Sequence, residues 1–238
     1  VNGQLLLSML YEMITTRIPN CQPLMQNTDG LEFDIDEKDE ELFFSICKEW
    51  EDLTQLQLES VEYKKMIIGD VNNYIAVYDN GKTKCKGRFE FHNLALHKNK
   101  SALIVPKTIY NYFVHNQVPE VYMQQNRNIF DYLKGVKKKG DWHFIMTCFT
   151  KGKRIDTELQ TIVRYYVSNK GCKIIKVNKS DGREIQVESG RWLQTEFNLY
   201  EIKPWKDYDI NDEYYLAQVY REIDLINKKK ETSQLTLF

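Results

Sequence analysis

The sequence lacks the long hydrophobic run that a membrane-spanning helix requires. No window of the 238 residues approaches about 18 consecutive apolar residues, and the first twenty residues lack the basic region and cleavage site of a signal peptide. We therefore expect neither a membrane segment nor secretion. With 42% hydrophobic residues and 13% aromatic residues, the chain nonetheless has enough apolar side chains to build a core.

Cysteine and histidine are few and do not follow metal-binding patterns. The five cysteines include no C-x-x-C pair, and the four histidines include no H-E-x-x-H motif. This argues against a structural zinc and a disulfide framework, and a reducing cytoplasm fits the cysteine usage best. The chain also lacks a G-x-S-x-G motif and a glycine-rich phosphate-binding loop, so the common hydrolase triads and nucleotide-binding loops are set aside.

Charges of the two signs are segregated, although the net charge is only −1. Residues 29–62 hold thirteen acidic and two basic side chains, whereas residues 82–107 hold seven basic and one acidic. Lys82, Lys84 and Lys86 recur at every second position, which places them on one face of a strand. Such a row can attract a phosphate backbone or protect an exposed sheet edge, and the spacing alone does not decide between the two.

The hydrophobic pattern indicates an α+β fold with an antiparallel sheet. Residues 1–91 are predicted to hold that sheet with packed helices, 92–230 a mainly helical domain containing a β-hairpin, and 231–238 a flexible tail. The expected helices cover 4–18, 40–53, 106–116, 128–136 and 211–226, with hairpins over 22–36 and around Asp181-Gly182, strands at 59–69, 73–79 and 83–91, and a lysine-rich loop at 134–139.

The stretch Asn27-Thr28-Asp29-Gly30 is the main candidate for chemistry. Asp-Gly is common in hairpin turns, because Gly readily supplies a positive φ, so the turn needs no functional explanation. A carboxylate at a hairpin tip can also bind Mg²⁺, which uses one or two protein carboxylates together with substrate phosphates. Glu32, Asp34 and Asp36 alternate with apolar residues, and we expect them on the solvent face of a strand. Spacing alone favours a simple turn.

Five segments, taken in order, resemble the C-terminal palm and thumb of family B DNA polymerases, particularly those of phage type. GQLLLSMLYEMI is similar to the helix before the third polymerase motif, and QNTDGLEF is similar to that motif. The K-K-x-Y segment and the strands after it are similar to the stretch NNYIAVYDNGKTKCKG. The entry to the thumb is similar to LHKNKSALIVPKTI, and the final helix of the thumb is similar to YDINDEYYLAQVYREIDLI. The resemblance implies a DNA-directed DNA polymerase that adds nucleotides to a primer 3′-hydroxyl with two Mg²⁺ ions.

The resemblance also implies roles for individual residues. Asp29 corresponds to the second aspartate of the usual Y-G-D-T-D-S motif, and is therefore implied to be catalytic and to bind metal. Asn27 replaces the first aspartate, and Thr28 and Gly30 complete the motif. Tyr74 corresponds to the closing tyrosine of K-K-x-Y, whose paired lysines are missing here. The residues of that segment expected to contact DNA are Asn73, Tyr74, Lys82, Lys84, Lys86 and Gly87.

Such polymerases also need an aspartate and a nucleotide-contacting helix from earlier motifs, and neither occurs in this sequence. We expect both Mg²⁺ ions to be shared with the remaining N-terminal part of a polymerase, and the isolated chain to be inactive. The alternative is a non-catalytic module that binds DNA and a sliding clamp, in which Asp29 is only a turn residue. A metal-dependent nuclease has less support, because no second carboxylate cluster has suitable spacing.

The last five residues, QLTLF, resemble the Q-L-x-L-F peptide with which bacterial polymerases and repair proteins bind the sliding clamp. Leu235, Leu237 and Phe238 can fill apolar pockets, and Gln234 can form hydrogen bonds. The alternative is an apolar terminus without a partner. The expected partners are primer-template DNA, deoxynucleoside triphosphates and a bacterial-type clamp, in the cytoplasm of a bacterial or phage-infected cell.

Overall fold

A computed structural model describes residues 2–91, 101–196 and 202–235, with side chains through Lys228 in the last range. The chain divides into two compact units, Val1–Lys84 and Cys85–Phe238, whereas the predicted boundary lay after residue 91. Both units combine helices with antiparallel strand pairs, which confirms the α+β class. Within the described ranges, no helix is long and apolar enough to cross a membrane.

The first unit contains two helices, a two-stranded hairpin and a three-stranded sheet ordered β3-β4-β5. The hairpin was predicted over 22–36 and is confirmed; its two strands pair antiparallel from Gln22 opposite Asp34 to Gln26 opposite Leu31. The elements are α1 (Asn2–Arg17), β1 (Gln22–Gln26), β2 (Leu31–Asp34), α2 (Glu40–Thr54), β3 (Lys65–Asp70), β4 (Asn73–Val77) and β5 (Thr83–Cys85).

Helix α2 is amphipathic, and its apolar face packs against α1. Ile46 and Trp50 lie four residues apart, so they share one face of the helix, and both are buried. The Trp50 indole Nε1 donates a hydrogen bond of 2.8 Å to the Leu6 carbonyl of α1. Leu31 and Phe33 of the hairpin pack against the same cluster, so one face of the hairpin is attached to the helical pair.

The second unit contains two sheets, ordered β11-β10-β7-β8 and β12-β9-β6, together with helices. Its core joins the sheets to the helices through aromatic side chains such as Tyr132, Tyr165 and Tyr215. The elements are α3 (Ile104–His115), α4 (Pro119–Gln125), α5 (Ile129–Tyr132), β6 (Lys134–Lys137), β7 (Trp142–Thr150), β8 (Lys153–Glu158), β9 (Ile162–Ser168), β10 (Lys173–Asn178), β11 (Glu184–Gln186), β12 (Trp192–Thr195) and α6 (Asp212–Leu235).

The hairpin around Asp181-Gly182 is confirmed as β10 and β11, but the prediction of a mainly helical region is wrong. Residues 134–195 hold seven strands, β6 to β12. The predicted helix over 128–136 ends at Tyr132, and the predicted lysine-rich loop begins with β6. Lys134 can occupy this half-buried strand because its ammonium group pairs with the Glu188 carboxylate and donates to the Tyr214 hydroxyl at 2.7 Å.

The cysteine pattern argued against a disulfide framework, but Cys148 and Cys172 form one disulfide. Strand β10 pairs with β7 so that Lys173 lies opposite Thr147, and the next residues in this register are the two cysteines, whose Cα atoms are 4.4 Å apart. They are 24 residues apart in sequence, so no short cysteine motif marks them. Of the cysteines in the described ranges, Cys21 and Cys47 are buried and have free thiols.

The backbone of α6 continues to Leu235, well past the predicted helix end at residue 226 and into the predicted flexible tail. Residues 236–238 lie outside the described residues. The prediction that this tail is flexible therefore stays a prediction.

Candidate functional site

The site proposed from the sequence lies at the tip of the β1–β2 hairpin, where residues 27–30 form the loop. The Asn27 N–H donates to the Gly30 carbonyl at 3.1 Å, which closes the loop. The Asn27 side-chain Oδ1 accepts a second hydrogen bond, of 2.9 Å, from the Asp29 N–H. This side-chain turn is the standard one for Asn and Asp, and it fixes the backbone of Asp29.

Asp29 is exposed, and its carboxylate has no part in holding the loop together. Within the described residues, it forms no hydrogen bond and no ion pair. Asp181, in the hairpin of the second unit, behaves differently, because its Oδ1 accepts a 2.9 Å hydrogen bond from the Arg183 N–H. In the first hairpin Asn27 carries out that task instead. The turn therefore explains Asn27 but leaves the carboxylate of Asp29 without a structural role.

Gly30 does not have the positive φ that we expected of it, whereas Gly81 and Gly182, in two other hairpin loops, have φ of 77° and 71°. A Cβ atom at Gly30 would meet only Asn27 Oδ1, at an ordinary 3.8 Å. The backbone of this loop is thus open to residues other than glycine. The presence of Gly30 is not explained by local strain.

The hairpin is anchored close to its tip by Met25. This side chain is only 6% exposed and packs with Tyr74 and Ala76 of β4. Because consecutive residues of a strand point to opposite faces, the face with Met25 covers the β3-β4-β5 sheet while Leu31 and Phe33 cover the helices. Asp29 is therefore carried by a short hairpin that is packed on both faces.

Glu32 lies on the packed face of the hairpin, contrary to our prediction that it faces solvent. It is directly opposite Met25 in the strand register, so both side chains point toward the β3-β4-β5 sheet. Burial raises the pKa of the Glu32 carboxyl, and the positive charge of Lys84 offsets part of this rise. Asp34 and Asp36, by contrast, are exposed as predicted.

Tyr63 and Lys84 form a pair near Glu32 that was not predicted from the sequence. The Lys84 Nζ donates a hydrogen bond of 3.1 Å to the Tyr63 hydroxyl, and this bond raises the pKa of Lys84. Burial raises the pKa of the Tyr63 hydroxyl, and the hydrogen bond from Lys84 opposes that rise. Tyr63 lies in an irregular segment before β3, so the spacing of apolar residues in the sequence does not indicate which way its side chain points. Lys84 thus remains positively charged beside the hairpin that carries Asp29.

The other residues predicted to contact DNA are placed in different environments. Lys82 is exposed before β5, and its backbone closes the turn that follows β4. The Asn73 side-chain amide donates to both carboxylate oxygens of Asp70 at 2.9 Å. Tyr74 is only 7% exposed and is part of the cluster around Met25. Its contact with DNA stays a prediction, and the structure gives its ring a packing role.

Lys86 and Gly87 belong to the second unit. Lys86 is exposed and precedes a short 3₁₀ turn, Gly87–Phe89, while Gly87 has a φ of 65° that favours glycine. Within the clamp-binding sequence, Gln234 and Leu235 lie in the described backbone of α6, whereas Leu237 and Phe238 lie outside the described residues.

Asp29 fits one ligand position of a Mg²⁺ ion, because its carboxylate is exposed, held by a fixed backbone and not used by other side chains. Across the described ranges, no group of three or more His, Cys, Asp or Glu side chains could hold a metal ion. A Mg²⁺ ion bound at Asp29 would thus take its further ligands from water, from a substrate or from residues outside these ranges.

No protein-family model matches the chain, and no curated protein matches it significantly. The resemblance to family B polymerases rests on the short segments named above.

Proposed function

We propose that this chain is the C-terminal part of a DNA-directed DNA polymerase, with residues 1–91 contributing to the palm and residues 92–230 to the thumb. The proposal is supported by the Asp29 carboxylate, which stands exposed at the tip of a doubly packed hairpin and has no structural task there. The segment QNTDGLEF, in which the resemblance predicts a metal-binding aspartate, forms this hairpin tip and the strand after it.

In the proposed site, Asp29 is a ligand of the catalytic Mg²⁺ ions, which are shared with residues outside this chain. When bound, the ions would activate the primer 3′-hydroxyl and stabilise the leaving pyrophosphate. The contribution of this chain is to hold the carboxylate in place through Asn27 and Met25. Lys82 and Lys84 add positive charge that attracts the phosphates of primer and template without reading their sequence.

The test is Asp29→Asn in the full-length polymerase, with primer extension and DNA affinity measured separately. We expect extension to fall by at least about 100-fold, because a preorganised charge at the reaction centre is lost. DNA affinity should change little, since one carboxylate does not hold the duplex.

Asp79→Asn is the matched control. Asp79 is also exposed in a hairpin loop of the first unit. In that loop the Asn80 side-chain Oδ1 accepts a hydrogen bond of 2.9 Å from the Lys82 N–H. This variant should retain extension. If Asp29→Asn retains it equally well, the alternative is favoured, namely a non-catalytic module that binds DNA and a sliding clamp.

The terminal sequence QLTLF is proposed to bind a bacterial-type sliding clamp, which would place the protein in a bacterial or phage-infected cytoplasm. Deletion of residues 234–238 should abolish binding to an immobilised clamp in surface plasmon resonance, because the apolar anchors Leu235, Leu237 and Phe238 are lost together. Replacing Thr236, the variable position of the peptide, with alanine should leave binding nearly unchanged. Equal binding by the deleted chain would show that the tail is not the clamp ligand.

A further inference from the structure

Strand β8 is an outer strand of the β11-β10-β7-β8 sheet, and one of its two edges is open. In the part of the chain that the structure describes, β8 pairs with β7 alone, and all six of its residues, Lys153–Glu158, are exposed. An open edge presents N–H and C=O groups to which a strand of another molecule can add. None of the roles proposed above involves this edge.

The turn before β8 determines which of its backbone groups face the open edge. Thr150 and Lys153 are the last pair of the β7–β8 hairpin, so the loop is Lys151-Gly152, whose φ angles are 50° and 76°. Positive φ at both central residues is characteristic of a type I′ turn, whose closing pair is hydrogen-bonded. Because hydrogen-bonded and non-hydrogen-bonded pairs alternate along antiparallel strands, Arg154 and Asp156 direct their N–H and C=O groups to the open edge.

The side chains of β8 are arranged so that two copies of the strand complement each other. Arg154 and Asp156 flank Ile155 and share the opposite face of the sheet, where Arg154 Nε lies 2.9 Å from Asp156 Oδ1. When a two-fold axis passes through the pair of Ile155 residues, antiparallel pairing sets Arg154 of each copy opposite Asp156 of the other. The two isoleucines, each 49% exposed in the single chain, then face each other.

Other registers of the same strand pair are less favourable. A shift of one residue would set side chains of opposite faces against each other, which a two-fold axis perpendicular to the sheet does not allow. A shift of two residues would set Arg154 opposite Arg154, or Asp156 opposite Asp156, and like charges directly opposite each other destabilise an antiparallel pair. The charges of β8 therefore favour the register centred on Ile155 over its neighbours.

We propose that β8 is a homodimer interface, to which a second copy of this chain adds its own β8 in antiparallel orientation. The two four-stranded sheets then form one continuous sheet across the two-fold axis. Backbone hydrogen bonds between Arg154 of one copy and Asp156 of the other join the strands, and their opposite charges set the register. Charged side chains often protect an edge strand from pairing. In β8 the two signs lie on either side of Ile155, so they attract a second β8.

The test is sedimentation velocity of the full chain at concentrations from about 1 µM to about 1 mM, which covers dimers of weak to moderate affinity. The wild type should form dimers and no larger species. Arg154→Asp should raise the dimer dissociation constant at least about tenfold, because an attractive pair becomes repulsive at both symmetry-related positions. Asp156→Arg should weaken its own dimer for the same reason.

An equimolar mixture of these two variants should restore the dimer. Each aspartate of the Arg154→Asp chain then lies opposite an arginine of the Asp156→Arg chain, so both facing pairs are attractive again. Mixing would not rescue variants that had failed to fold. A mixture that dimerises no more tightly than either variant alone would overturn the proposal.

Lys153→Asp is the matched control, because it makes the same change of charge on the same strand. Lys153 is exposed and lies opposite the neutral Thr157 of the second copy in the proposed register, so the dissociation constant should change by less than about threefold. Asp29→Asn should also dimerise normally, because the interface does not depend on the polymerase proposal. A monomer at every concentration, or equal weakening by Lys153→Asp and Arg154→Asp, would refute the interface. Species larger than dimers would also refute it, because they would indicate head-to-tail pairing of β8 with β11.

Discussion

Replacing Met25 with alanine should loosen the hairpin that carries Asp29. Met25 is 6% exposed and packs with Tyr74 and Ala76, so the change removes buried apolar atoms next to the loop. Such truncations of buried Met, Leu or Ile cost about 2–5 kcal/mol. We expect the lower part of the range, about 2–3 kcal/mol, because the cluster is small and its flanking side chains, such as Met66, are only partly buried and can move into the space.

The assay is native-state hydrogen exchange of the whole chain, followed in peptides that cover residues 22–34. A loss of about 2–3 kcal/mol corresponds to roughly 30- to 150-fold faster exchange when opening is limited by stability. Gln26→Ala is the control, because Gln26 is the next residue of the strand, points to the opposite face and is exposed. If Met25→Ala speeds exchange by less than about 5-fold, or no more than Gln26→Ala does, Met25 does not anchor the hairpin.

Two further predictions concern the half-buried Glu32 and the Cys148–Cys172 disulfide. The raised pKa of Glu32 means that folding favours its protonated form, so the stability from this group is present below its unfolded pKa and is lost as pH rises through the folded pKa. Glu32→Gln should therefore stabilise the chain at pH 7, with the gain vanishing near pH 4 in urea unfolding, while Asp34→Asn at an exposed position should show no comparable gain. Removal of the disulfide by Cys148→Ser should cost about 3 kcal/mol for its 24-residue separation. Dithiothreitol should lower the Tm of the wild type and of Cys85→Ser but not that of Cys148→Ser, and a wild-type Tm insensitive to reduction would contradict the pairing.

Local features of the fold were predictable from the sequence. The hairpin around Asn27 and the hairpin around Asp181 were expected because turn residues separate short apolar runs. Helix α2 was expected because its apolar residues recur at helical spacing. In these elements the interactions that select the structure lie within a few residues of one another, so the sequence order already contains them.

The strands of the second unit were less predictable because their stability depends on distant partners. From the sequence Lys134 was predicted to lie in a loop, whereas in the structure its ammonium group pairs with Glu188 and Tyr214, which are distant in sequence. Likewise, Cys148 and Cys172 meet only because β7 and β10 pair in one particular register. A one-residue shift of that register would turn the two side chains to opposite faces.

At the candidate site, the sequence by itself determined that a hairpin tip carries Asp29 and that an asparagine stands two residues before it. Only the tertiary structure decided that Asn27 makes the hydrogen bond of the turn, that the Asp29 carboxylate stays unused, and that Glu32 is half-buried beside Lys84. The physical reason is that turn formation is a local property of the backbone. The protonation and availability of a carboxylate depend instead on burial and on charges that other strands bring close.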